Sequence, residues 1–198
     1  MTDPKEDLRV YLQDARDVLL WKLEGLSEYD VRRPMTPTGT NLLGLVKHLT
    51  GAEALYFGVT FGRPFDGTPL WITGHAEPDA DLWARTDESR QEIVGRYRTA
   101  WAHADETIAV LPLDAVGRIP GGAEDSVTLH RVLTHMISET QRHAGQADIV
   151  RELADGAVGQ RPGGLNVAPR DPGHVERVER AATEAAARWD QRPGREQL

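Results

Sequence analysis

Apolar residues recur at three- and four-residue intervals along four stretches of the chain, the pattern of amphipathic helices at roughly 100° per residue. Leu8, Leu12, Ala15, Leu19, Leu23 and Leu26 mark the first, predicted to run to about residue 26. Asp3 supplies an N-cap, Pro4 fits the first turn and Glu6 completes a capping box. The second helix is predicted to start near Thr40, with Leu42, Leu45, Val46, Leu49, Ala52, Tyr56 and Val59 as its seam. Thr86 is the expected cap of a third, whose seam runs from Ile93 through Tyr97, Trp101 and Ile108 until Pro112 ends it. The fourth, with Ser126 as its expected cap, carries Leu129, Val132, Leu133, Met136, Thr140, Ala144 and Ala147, and nothing breaks it before Gly156.

The connections complete the plan. Residues 27–39 hold Pro34, Pro37 and Gly39 in a polar setting and predict a long link. From Gly58 to Arg85 the periodicity is lost, while Phe61, Phe65, Trp71 and Trp83 alternate with Gly and Pro, which predicts an ordered crossover over one end of a bundle. Trp71 and Trp83 are expected to pack there, with lining of a substrate mouth as the other reading. Beyond Gly156 a Gly- and Pro-rich stretch leads to Asp171 and Pro172, a repeat of the opening cap signal, and to a short helix over 172–189. Its Val175, Val178, Ala182, Ala185 and Trp189 form a face expected to dock on the bundle or on a second subunit, as in a homodimer. With no internal repeat and no alternating strand, the predicted class is all-α, a four-helix bundle over 1–156 followed by a linker and helix over 157–198.

Composition narrows the chemistry. A chain of 198 residues suits one core. It has no cysteine, hence no disulfide, no thiolate ligand and no sulfur nucleophile of its own. A net charge of −8 disfavours nucleic-acid binding, which needs a basic surface. The opening MTDPKEDLRV has no apolar leader core, and no run approaches the roughly 18 apolar residues of a membrane span, so a cytoplasmic location is expected.

The fourth helix also carries ionisable residues one turn apart. His135, Glu139 and His143 stand at i, i+4 and i+8. On an ideal wheel His143 lies roughly 60° from the seam centre, Glu139 roughly 100° and His135 roughly 140°, so the first two flank the core and His135 faces outward. His48 flanks the seam of the second helix, where Glu53 lies near the middle and must be buried or paired. His48, Glu139 and His143 together offer two imidazoles and a carboxylate, the donor set of catalytic zinc, which nickel, iron or manganese also fit. Spacing alone equally suits hydrogen-bonded residues on helix edges.

The segments GLVKHLTGAE, DADLWARTDES and HMISETQRHAGQADIVREL resemble the DinB and YfiT-like superfamily over roughly residues 5–156. Many relatives have His-x-x-x-His-x-Gly-Gln where this chain has Glu139-x-x-x-His143-Ala-Gly-Gln, similar to the branch of mycothiol-dependent maleylpyruvate isomerase and mycothiol transferase-like proteins. The resemblance implies an up-up-down-down four-helix bundle with a metal on His48, Glu139 and His143. It also implies a borrowed low-molecular-weight thiol such as mycothiol, used by an S-transferase or isomerase on an electrophilic small molecule. A hydrolase that activates water and a non-catalytic dimerisation module are the other functions considered.

Four further residues are candidates around that site. Glu53 is expected either to orient His48 or to pair with an arginine such as Arg9 or Arg16. His135 is a surface residue or a partner to the ligands, Gln146 a hydrogen-bond partner to ligand or substrate, and Arg85, with Arg90, a contact for a substrate carboxylate. His75, His103, His130 and His174 have no partner spacing and read as structural or solvated.

Overall fold

The helix predicted at the N-terminus forms as α1, Pro4–Trp21, with the Asp3 side chain accepting from the Lys5 N–H at 3.0 Å. It ends earlier than the periodicity suggests, because the chain turns through Gly25 at a φ of 75°. Leu23 and Leu26 nevertheless stay in the core. A short helix missed by the sequence reading, α2, Glu28–Arg32, follows a Ser27 cap. Next come α3, Leu42–Glu53, capped by Asn41, and α4, Arg90–Val110, whose capping box uses Ser89 and Glu92 rather than Thr86. The ribbon of β1, Val116–Gly117, and β2, Val127–Thr128, precedes α5, Leu129–Asp155, so Thr128 and not Ser126 caps that helix. Gly156 closes α5 in the left-handed conformation at φ 79°, as a C-terminal glycine does.

This computed structural model describes residues 3–64, 77–121, 126–163 and 171–189; Phe65, Trp71 and His75 lie outside them. The chain divides into two compact units, Met1–Leu165 and Asn166–Leu198. The second unit contains α6, His174–Trp189, whose entry is fixed by the Asp171 carboxylate accepting from the Gly173 N–H and from Arg177. No helix among the described residues is long and apolar enough to cross a membrane.

The first unit is an all-α bundle in which α1 packs on α5, and α3 on α4 and α5. Two apolar clusters give the helix directions. One gathers Leu19, Leu42, Leu49, Ile93, Tyr97, Ala147 and Val150; the other gathers Leu12, Phe57, Ala104, Ile108, Leu129 and Met136. Hence α1 and α5 run one way while α3 and α4 run the other. In chain order the sense is up-down-down-up, a correction to the up-up-down-down order expected. Residues 22–41 spend their length on turns and α2 and return at the same end. The chain leaves α3 at one end of the bundle, and α4 starts again at the end where α3 began.

A buried ion pair crosses the interior. Arg16, with no exposed side chain, donates Nε to Glu53 Oε1 at 2.7 Å and Nη2 to Glu53 Oε2 at 2.8 Å, while Nη1 reaches Asp105 at 2.8 Å. Burial alone would lower the guanidinium pKa, but Glu53 and Asp105 outweigh it and hold it above its ordinary value. Nearby Tyr97 is fully buried, and burial raises its phenol well above the usual pKa, so it stays neutral. Its hydroxyl has no hydrogen-bond partner among the described residues. An unsatisfied buried hydroxyl costs about 1–3 kcal/mol. Tyr97→Phe is therefore expected to raise stability by about 1 kcal/mol in denaturant unfolding; a loss of similar size would show that the hydroxyl is bonded.

Candidate metal centre

Helix periodicity puts Glu139 and His143 one above the other on α5, and the packing of α3 against α5 brings His48 to face them. Glu139 Oε1 lies 3.0 Å from His143 Nε2 and 3.5 Å from His48 Nε2. One ligand atom from each of the three lies within 4.8 Å of the others. The rings of His48 and His143 meet edge to face at 4.8 Å between centroids. Side-chain exposures of 27% for His48, 27% for Glu139 and 12% for His143 show the cluster held by the bundle yet open on one side.

Hydrogen bonds behind the rings set their tautomers. His143 Nδ1 donates to Gln146 Oε1 at 2.7 Å, and His48 Nδ1 donates to Asp81 Oδ2 at 2.7 Å. A ring that keeps its only proton on Nδ1 turns the Nε2 lone pair toward the Glu139 carboxylate, the orientation a metal ligand needs. Such acceptors repel one another unless a proton on Nε2, as in the hydrogen bond between His143 Nε2 and Glu139 Oε1, or a metal cation lies among them. Donors about 2.0–2.1 Å from a tetrahedral centre sit roughly 3.3 Å apart, and the two observed separations bracket that value. The donor set, with one ligand atom of each residue within 4.8 Å of the others, fits a metal site. Burial alone would raise the Glu139 carboxyl pKa, but hydrogen bonds and charge from His143, then His48, outweigh it and leave it below its usual value. Glu139 is thus ionised throughout the neutral range.

The other candidates separate. Glu53 makes its bidentate contact with Arg16 and none with His48; the orienting carboxylate is Asp81. Sequence reasoning missed Asp81 because it sits in an aperiodic crossover, although it lies within the quoted DADLWARTDES segment. Gln146, one turn beyond His143, is the partner of that ring. His135 stays outside the cluster and packs its ring on Tyr56 at 4.6 Å. Burial, and after it the charge of Glu139, raises the Tyr56 phenol pKa, which places Tyr56 within the field of the cluster. Tyr56 belongs to a π-turn over Ala54–Gly58, a feature often found at functional sites, and Thr60 Oγ1 satisfies the Leu55 carbonyl there. Arg85 pairs with Asp87 on the surface, and Arg90 forms an ion pair with Glu28 and donates to the Leu23 and Leu26 carbonyls, so neither is gathered at the cluster. Trp83 is half-exposed.

A sequence model of the mycothiol-S-transferase family matches residues 7–156, three quarters of the chain and the whole of the cluster. The chain belongs to that family. No curated protein matches it.

Proposed function

We propose that this mycothiol-S-transferase family member joins the sulfur of a low-molecular-weight thiol of the mycothiol type to an electrophilic small molecule, with a divalent metal held by His48, Glu139 and His143. The observation that carries this reading is the convergence of both Nε2 atoms on Glu139 Oε1, with Asp81 and Gln146 holding the opposite ring protons. Two imidazoles, one carboxylate and an open side suit zinc in a catalytic setting. A divalent cation there supplies the Lewis acidity that lowers a thiol pKa and keeps the sulfur as a thiolate at neutral pH.

The chain's own residues do the rest. Glu139 and Asp81 bring negative charge that offsets the charge of a bound cation, and Asp81 also orients His48. The absence of cysteine requires the nucleophilic sulfur to come from the co-substrate. The thiolate attacks the electrophilic carbon, a carbon–sulfur bond forms, and the displaced electron pair leaves with the leaving group while the thiol proton passes to solvent. In this reading the electrophile is contacted by the Tyr56 and His135 pair, whose rings meet at 4.6 Å one turn from Glu139.

Turnover of mycothiol with an activated alkyl halide is expected to fall at least about 10-fold when chelator strips the protein, and to return with added Zn²⁺. Thiol-independent ester or amide cleavage by the same metal-loaded protein would instead establish a hydrolase.

A further inference from the structure

The segment that delivers Asp81 is fastened along one stripe of α3. Asn41, Gly44, Lys47 and His48 follow at helical spacing, so they share a face. Asn41 caps α3 by accepting from the Gly44 N–H at 2.8 Å and also donates Nδ2 to the Leu82 carbonyl at 3.0 Å. At Gly44 the crossover comes so close that a Cβ there would run into the Leu82 carbonyl. One turn on, the buried Lys47 donates to the Trp83 carbonyl at 3.0 Å and to Glu88 at 2.7 Å. From α2, Arg32 bonds the Arg85 and Glu88 carbonyls. Asp79 adopts a φ of 58°, uncommon for a residue other than glycine, and its carbonyl accepts from the Leu82 N–H at 2.9 Å. The turn so made aims Asp81 at His48.

We infer that residues 79–88 form a strap whose attachments at Asn41, Gly44 and Lys47 hold the Asp81 carboxylate on His48 Nδ1, so that Asp81 is a positioning residue for the proposed metal ligand. A lysine buried at 5% side-chain exposure would otherwise be an expensive way to cover a helix. The strap fixes both the direction of the His48 ring and the tautomer that leaves Nε2 free. The inference rests on the metal reading above, and a measurement on metal-free protein separates the two.

The test uses the full chain, labelled with ¹⁵N on its histidines, in wild type, Asp81→Ala, Gly44→Val and the double variant, with Lys47→Met as a second way to release the strap if Gly44→Val fails to fold. In the metal-free wild type the His48 ring is expected to carry its proton on Nδ1. Asp81→Ala and Gly44→Val are both expected to shift it toward a mixture of tautomers. Zn²⁺ affinity, read by competition with a chromophoric chelator, is expected to fall about 10–100-fold in each, the usual cost of losing a ligand's outer partner. The double variant is expected to be no weaker than Asp81→Ala, since the strap acts through that residue. An unchanged tautomer with affinity within twofold of wild type in Asp81→Ala would overturn the inference, as would additive losses in the double variant. Failure of the wild type to hold Zn²⁺ would sink the metal reading, while the tautomer comparison would still decide the strap.

Discussion

Glu139→Gln is expected to abolish metal retention and thiol transfer together while leaving the bundle folded. Glutamine has the shape of glutamate without its charge, and Glu139 is the anionic member of the triad, lying 3.0 and 3.5 Å from the two imidazole nitrogens. Losing an outer partner costs a metal site about 10–100-fold in affinity, so losing the charged ligand itself is expected to cost at least about 100-fold. The side chain is part-exposed and belongs to neither apolar cluster, and glutamine can still accept a hydrogen bond from His143 in metal-free protein. The metal-free variant is therefore expected to unfold within about 0.5 kcal/mol of the metal-free wild type. Chelator competition and thermal melts of the metal-free forms separate these effects. Retained affinity would take Glu139 out of the site, and an equal loss of metal-free stability would make it a structural residue.

The largest effect on stability is expected away from the site, at Arg16 and Glu53. Both side chains are wholly buried, and their two parallel hydrogen bonds close the middle of the bundle between α1 and α3. Glu53→Ala leaves the guanidinium in the interior with Asp105 as its remaining partner, and breaking a buried pair in this way costs about 3–5 kcal/mol. At roughly 2–4 °C per kcal/mol for a domain of this size, the melting temperature is expected to fall by about 10 °C. Replacing both partners with apolar residues, Arg16→Met with Glu53→Leu, is expected to recover most of the loss, because two buried charges are removed rather than one. If Glu53→Ala melts within about 2 °C of wild type, water reaches the pair and the interior is more open than the structure shows.

What could be read from the sequence follows from how locally each feature is determined. The cap at Asp3, the length of α5 and its stop at Gly156 depend on neighbouring residues, and the helical period alone makes Glu139 and His143 neighbours. The Gln146 bond to His143 is likewise a product of the three-residue step. The sense of the helices was not local, because it depends on which connection travels the length of the bundle. Nor was the π-turn at Tyr56, for which the apolar seam through Tyr56 and Val59 gives no warning. Asp81 was hidden for a related reason: its position comes from three attachments to α3, and an aperiodic segment does not reveal where it docks. Glu53 could orient His48 or pair with an arginine by sequence, and the reach of the buried Arg16 side chain from α1 to the end of α3 settled it on Arg16.

The proposed metal site is tested most directly by the metal content of untagged protein, measured by mass spectrometry beside His48→Ala, His143→Ala and His135→Ala. The expected result is close to one divalent ion per chain in the wild type and in His135→Ala, with loss in the other two. Absence of metal from the wild type after reconstitution, or loss in His135→Ala equal to that in His143→Ala, would contradict the assigned centre.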